Sequence, residues 1–582
     1  GWDWKDSIGP KEQRKVHLDL AWHQIYDNQV GHDEYLQWAE KAGFEPLYTI
    51  NLGTGDINDA IYITEYTNHE GGTYWSDLRR KNGHEKPYGV KMWYLGNEMD
   101  GPWQIGSWEL DPRGYGIRAN EVSKAMKWVD GSIETAVCMS CSPLICHYPE
   151  WDLSVLQECY ESVDYLSMHY YHVAPQGDIA ALLGGSVYYE DYINTEIALS
   201  DYVQTKCRSP KKMMISFDEY GTHGGIAQKP HYGFSPTSNL HQSFYSFPKT
   251  KYVKHDPNAN LSMMGPRGSE MLGALANTSA QLAFLRHADR VKIGCMTGGL
   301  GALVANNRDN VWRGAAFYPY AHLMRYGRGT SLRTAVDCET FDIPAYFIDD
   351  GTQYQAREGL PYLDTAAAVD EAKGELNIFV INRNWESDIN ADIDVSGFEG
   401  WEFVEHIQMY TEDMEARNTF EAPNAIQPTV NTKAVMKDGK LNTDLKRLSW
   451  NVLRFRKPDR LRKAIIHAAG HTVQPRVVGK HGDTVADAHR DTPSDGIRRI
   501  DGFHRFEHKR VVRNDNVRTL CRRGFDRLRC RIKCNGNALH RRASVRDDHS
   551  SVVIPGFGIF LRDHFIQYLR KSVNGKHGSL PL

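Results

Sequence analysis

An α/β fold, a (β/α)8 TIM barrel followed by an antiparallel β-sandwich, is what this 582-residue sequence predicts, on three observations. Along residues 1–325, short apolar runs that end in polar or glycine residues alternate with amphipathic stretches, the signature of a parallel sheet with crossover helices. Over residues 326–457 the segments become short and alternating, with turn signals between them, as in antiparallel sheets. Beyond residue 458 the composition changes: the tail 458–582 carries 26 Lys and Arg against 12 Asp and Glu and none of the 14 Trp, whereas the rest of the chain is acidic. The expected organisation is a catalytic barrel over 1–325, a sandwich over 326–457 and a basic tail of uncertain structure over 458–582.

Six strands can be placed: "EPLYTINLG" from 45, "VKMWYLGNE" from 90, "IETAVCMS" from 133, "VDYLSMHYY" from 163, "KMMISFDEY" from 212 and "RVKIGCMTGG" from 290. Helical stretches such as "DEYLQWAEKAG", with Gly43 as its cap, and "ANEVSKAMKWVD" lie between them. Of the two remaining strands, one is expected near "KVHLDLAW" at 15. The first would lie upstream of Gly1, because "GWDWKDSIGP" reads like the middle of a domain. Sandwich strands are expected at "AYFIDD", "LNIFVINRN", "EFVEHIQMY" and "LSWNVLRFR".

Composition narrows the class. With 41% hydrophobic and 24% charged residues the chain can bury a large core. No apolar run approaches the roughly 18 to 20 residues that cross a bilayer, and no apolar leader opens it, so no membrane partner is expected. Ten cysteines at irregular spacings do not read as a disulfide framework and favour a reducing, cytoplasmic compartment.

In a barrel the C-terminal ends of the strands point into the site, and two of these ends deliver glutamates, Glu98 after "WYLGN" and Glu219 after "MISFD". Either one alone reads as a solvated strand end. As a pair across a pocket they suit glycoside hydrolysis, one protonating the departing oxygen while the other attacks the anomeric carbon or activates water.

The sequence from about residue 2 to 456 resembles glycoside hydrolase family 51, the α-L-arabinofuranosidases. The resemblance rests on "DWKDSIGP", "LDLAW", "NLGTG", "YWSDLRR", "WYLGNEMDGPWQIG", "AMKWVD", "HADRVKI", "YGRG" and "LSWNVLR", of which "GNEMDGPWQIG" is the most specific. It implies a retaining hydrolase that releases terminal α-L-arabinofuranosyl groups from arabinose-containing oligosaccharides or polysaccharides. Glu98 would be its acid and base and Glu219 its nucleophile. Asn97 would bind the sugar 2-hydroxyl, with Asn51, Trp75, His169 and Tyr171 around the sugar. Read alone, His169, Trp75 and Trp103 are structural residues. The resemblance implies no metal or organic cofactor, and a homo-oligomer. Glu98 must start protonated, a state that the negative Glu219 is expected to favour.

Two features depart from the family pattern: Gly298 stands where an amide side chain is usual, and "DEYGTHGG" follows the nucleophile. A related exo- or endo-glycosidase and an inactive fragment of a disrupted gene therefore stay open at this point. Cys138, Cys141, Cys146 and His147 lie close in sequence, but small residues at a strand end account for them better than a metal does. The tail's "CRRGFDRLRCRIKC" lacks paired CxxC spacing and shows no nucleic-acid-binding motif. An out-of-frame origin is the preferred reading, with a basic domain binding an anionic polymer as the alternative.

Overall fold

The computed structural model describes residues 2–22, 24–223, 252–254, 270–297, 303–306, 310–347, 353–458 and 530–534. Each of the six expected runs forms a strand: Leu47–Ile50, Met92–Leu95, Glu134–Cys138, Tyr165–Val173, Met214–His223 and Val291–Met296. They pair in that order, every pair parallel. Helices fill the connections, among them Ile57–Asn68, Pro112–Val129, Glu150–Cys159, Ser186–Cys207 and Met271–Arg286. Their ends follow local chemistry. Asp56 and Asp111 accept backbone N–H bonds at two N-termini, Pro112 occupies the first turn, and Gly43 closes His32–Ala42 in the left-handed region as expected.

The strands are apolar throughout because both faces are covered. Trp93 and Leu95 face the helix layer, while Met92 and Tyr94 meet Ala136, Leu47, Tyr165 and Ile293 on the other side. That second cluster joins residues from the first and last strands of the sheet, and the Tyr94 and Ser216 hydroxyls meet at 2.7 Å across it. Contact between strands so far apart in the order requires the sheet to curl, which places the chain in the (β/α)8 barrel class.

Two expected strands fall elsewhere. Near residue 15, His17–Asp19 pairs antiparallel with Gln24–Tyr26, which pairs in turn with Val253–Lys254, in a sheet separate from the barrel. The cause is local: the Asp19 carboxylate accepts the N–H groups of Ala21 and Trp22, so the chain reverses after three residues. At "AYFIDD", Tyr346–Phe347 pairs with Gln353–Tyr354 in a two-stranded ribbon outside the sandwich. Its two tyrosines stack and clasp the end of a barrel strand, Tyr346 donating to the Val173 carbonyl while Tyr354 accepts from the Val173 N–H.

The remaining three expected segments lie in a six-stranded antiparallel sheet, as Glu375–Asn382, Glu402–Met409 and Ser449–Arg456. A second sheet holds Ile389–Asp394 and Lys440–Leu445, and Cys530–Cys534 pairs into it beside Thr334–Asp337. The expected lack of order in the tail falls outside the described residues, that strand excepted. Met271–Arg286 is buried on nearly every side, which hides helical periodicity in the sequence. Its C-terminal Arg286 donates to Glu190 at 2.6 Å and to Asp364 at 2.7 Å, linking a barrel helix to a sandwich strand.

Burial alone would raise the Asp364 carboxyl, but Arg286 and Arg383 hold it below its ordinary range. Arg286→Met leaves two largely buried carboxylates short of a cation, and the expected loss is about 3 kcal/mol of unfolding free energy. Arg383, 3.6 Å from Asp364, keeps the loss at the low end of the range for such pairs. Denaturant unfolding checks this. A loss below about 1 kcal/mol, the value of an exposed pair, would contradict it.

Candidate active site

The strand Met92–Leu95 stops because its next residues turn. Gly96 lies at φ +97°, where a Cβ would meet the Met99 sulfur at 2.5 Å, and Glu98 itself is left-handed at φ +47°. A non-glycine residue in that region is strained, and such strain gathers at functional sites. Here it aims the Glu98 carboxylate inward. Glu98 is 4% exposed, with Trp103 Nε1 donating to its Oε2 at 2.6 Å, Gln104 Nε2 donating to the same oxygen at 3.2 Å and His169 Nδ1 lying 3.2 Å from Oε1.

A different device presents Glu219. In the pairing of Tyr165–Val173 with Met214–His223, Met168 faces Phe217 and His169 faces Glu219, so Asp218 is an extra residue, a bulge. Adjacent residues of a regular strand point to opposite faces, whereas the bulge lets both carboxylates reach His169. Asp218 Oδ2 accepts from Ser167 at 2.8 Å and lies 3.2 Å from His169 Nε2. Glu219 Oε2 accepts from the Tyr171 hydroxyl at 2.6 Å and is 3.7 Å from His169 Nδ1.

Ligand atoms of Glu98, His169 and Glu219 all lie within 4.8 Å of one another, the one group with metal-ligand spacing found among the described residues. Charge there is already balanced in part by a proton. Burial alone would lower the His169 imidazole, yet the carboxylates of Glu219, Asp218 and Glu98 push it well above its ordinary value. That charge reverses one expectation. Burial would raise the Glu98 carboxyl, but the hydrogen bond and charge of His169, with the Trp103 and Gln104 donors, hold it below its ordinary range. Glu219 is the carboxyl pushed up, by burial, with Glu98 adding to the rise against His169. Glu219 thus does not keep Glu98 protonated, because an imidazolium stands between them.

The structure distributes the other expected residues unevenly. His169 and Tyr171 touch the carboxylates directly. Asn97 and Asn51 line a neighbouring cavity of about 980 Å³ with Gln104 and the residues Leu18 to Trp22 and Gln24 to Val30; Glu98 and Glu219 are not among its described lining residues. The Asn51 amide shapes its own turn, accepting from Gly53 and Thr54 N–H and donating to the Thr54 hydroxyl. Trp75 is not brought to the carboxylates: its ring packs against Trp4, Tyr62 and Tyr74. Asp218, Trp103 and Gln104 were missed as site residues, though "DE" and "DGPWQ" hold them beside the two glutamates. Gly298 lies outside the described residues. Cys138 and Cys141 are buried and Cys146 exposed, while His147 lies 3.0 Å from Asp100.

Comparison with known proteins adds independent findings. Residues 1–192 match the α-L-arabinofuranosidase 1 domain and residues 259–449 the α-L-arabinofuranosidase C-terminal domain. The chain is 36% identical over 462 residues to an intracellular exo-α-(1→5)-L-arabinofuranosidase of Bacillus subtilis, covering 78% of this chain and 85% of the relative. An exo-α-(1→6)-L-arabinofuranosidase of Bifidobacterium longum is 28% identical over 474 residues, covering 78% of this chain and 83% of the relative. Among solved structures, a family 51 α-L-arabinofuranosidase from Bifidobacterium longum superposes with a TM-score of 0.64 at 26% identity, covering 78% of this chain and 84% of that one. An arabinose complex of the Thermotoga maritima α-L-arabinofuranosidase gives 0.64 at 25% identity, with the same coverage.

The raised pKa of His169 has a signed consequence for stability. Its folded value lies above the unfolded value near pH 6.5, so its contribution is fully present below about pH 6.5 and is lost as pH rises through the folded value. The Tm difference between the native chain and His169→Gln is expected to be widest near about pH 6 and to close towards alkaline pH. Thermal melts across that range check it; a difference that widens with pH would contradict it.

Proposed function

The chain belongs to glycoside hydrolase family 51, the α-L-arabinofuranosidases, and from that membership we propose that it cleaves with retention of configuration, Glu219 attacking the anomeric carbon and Glu98 acting as acid and base. It is a glycoside hydrolase that releases arabinofuranosyl groups. The observation that carries the mechanism is the approach of the two glutamates: ligand oxygens within 4.8 Å suit the carboxyl spacing of roughly 5 to 5.5 Å in retaining enzymes, against 6.5 to 9.5 Å where a water must fit between.

In the first step the Glu219 carboxylate forms the glycosyl ester as the bond to the departing oxygen breaks, and that oxygen takes a proton from Glu98. The proton has a source in the site. His169 Nδ1 lies 3.2 Å from Glu98 Oε1, while Nε2 faces Asp218, so the Nδ1 proton can pass to Oε1. Once Glu219 is esterified its negative charge is gone. Glu98 then takes a proton from the attacking water, and Glu219 leaves as a carboxylate. Tyr171 steadies Glu219 Oε2 throughout, and the Asn97 amide fits a sugar hydroxyl. In this reading the barrel, within 1–325, carries the chemistry, and 326–457 supports it.

The substrate class follows the relatives, whose names specify exo action on (1→5) and (1→6) linkages and, for several, an intracellular place. We take terminal α-L-arabinofuranosyl groups of arabinose-containing oligosaccharides or polysaccharides as the substrate.

Two variants separate the roles. Glu219→Ala is expected to lose several orders of magnitude of activity whatever the leaving group, and added azide to give an inverted product. Glu98→Ala is expected to harm substrates with poor leaving groups far more than activated aryl glycosides, with azide rescuing it with retention. Rescue with the opposite stereochemistry in either variant would exchange or overturn the assignments. Equal or greater activity on an aryl β-glucoside than on the aryl arabinofuranoside would overturn the substrate.

A further inference from the structure

The two oxygens of Glu98 are not equivalent. Oε2 accepts two N–H bonds, from Trp103 Nε1 at 2.6 Å and Gln104 Nε2 at 3.2 Å. Both are donors only, and neither nitrogen can accept a hydrogen bond from a protonated Oε2. Oε1 faces His169 Nδ1, the ring nitrogen that also lies 3.7 Å from Glu219 Oε2, so Oε1 is the oxygen on the side of the other glutamate.

Trp103 is built to hold this position. It is 8% exposed, packed with Cys141, Ile145 and Tyr148, so its ring is a core element rather than a platform for sugar. Gly101 makes room for it: a Cβ there would lie 2.4 Å from the indole Cε2. The turn is closed by hydrogen bonds from Gly101 N–H to the Glu98 carbonyl and from Gln104 N–H to the Gly101 carbonyl. Glu98, Trp103 and Gln104 are therefore parts of one short turn.

We propose that Trp103, assisted by Gln104, is a positioning residue that keeps Glu98 Oε2 unprotonated, so that the proton passed from His169 Nδ1 is received at Oε1 and transferred from there. The proton leaves Oε1 for the glycosidic oxygen as the glycosidic bond breaks, and in the second half a water proton returns to Oε1 as the water oxygen bonds to the anomeric carbon. This rests on the reading of Glu98 as acid and base. The Trp103 bond also stabilises the ionised carboxylate, as N–H donors to a charged oxygen do. Removing it raises the pKa at which Glu98 gives up its proton.

The test is the pH profile of kcat/KM on an arabinofuranoside with a poor leaving group, whose basic limb reports the free enzyme's acid. In Trp103→Phe the basic limb is expected to move up by about one pH unit, since a hydrogen bond to a charged group is worth about one such unit. Gln104→Met, at a partly exposed side chain, is expected to move it the same way by less, and it decides the matter if Trp103→Phe does not fold. A role in packing alone would lower activity and leave the limb in place. An unmoved or lowered limb in both variants would overturn the proposal. A second readout needs no turnover: in protein labelled with ¹⁵N-tryptophan, the indole N–H resonance absent from Trp103→Phe should shift with pH at the midpoint of that limb. A resonance that ignores pH would overturn it as well. If Glu98→Ala is not rescued by azide with retention, the reading of Glu98 itself has failed; if it is rescued and the limbs stay put, only the role of Trp103 has.

Discussion

Three carboxylates, those of Glu98, Asp218 and Glu219, converge on the two ring nitrogens of His169, and the buried site depends on the charge those nitrogens carry. Buried like charges at such separations repel strongly in a poorly polarisable interior, and the cost of removing each from water adds to that. A doubly protonated imidazole answers both at once. It donates to Asp218 through Nε2 and to Glu98 through Nδ1, with Glu219 Oε2 3.7 Å from Nδ1, and it places a proton one hydrogen bond from the oxygen that needs it. Trp103 then supplies a neutral donor at the Glu98 oxygen turned away from the imidazole, and Tyr171 and Ser167 supply neutral donors at the Glu219 and Asp218 oxygens that face it.

Backbone irregularity is what allows this convergence. A regular parallel strand would send Asp218 and Glu219 to opposite faces, and a strand running straight past Leu95 would carry Glu98 away from the fifth strand. The bulge at Asp218 and the left-handed turn at Gly96 to Glu98 break both regularities at the C-terminal end of the sheet. The cost is carried by the surrounding barrel, where Trp93, Leu95, Met168 and Phe217 are fully or nearly fully buried around these ends. Stability in the layers thus holds strained geometry at the mouth.

How much of this was legible in the sequence follows from the same physics. Strands buried on both faces are uninterrupted apolar runs, so all six were readable, as was the helix that Gly43 caps. The strand expected at "KVHLDLAW" failed because periodicity does not register a single aspartate closing a turn, as Asp19 does. "AYFIDD" failed because two tyrosines were spent on the barrel strand at Val173 rather than on sandwich pairing. In the site, Glu98 and Glu219 stand out as strand-end carboxylates. Asp218 is hidden because a bulge leaves no mark in composition, and Trp103 because an aromatic ring reads as core, which it also is. The protonation of Glu98 was misjudged for a pairwise reason: two carboxylates alone repel, but a third and an imidazole reverse the sign.

The charge on His169 is the claim on which the rest turns, and ¹⁵N spectroscopy of histidine-labelled protein reads it directly, with the His169 signals identified by their loss in His169→Gln. Both ring nitrogens are expected to be protonated at neutral pH, with titration only well above the ordinary histidine range. A neutral His169 at pH 7, with one bare ring nitrogen, would contradict it.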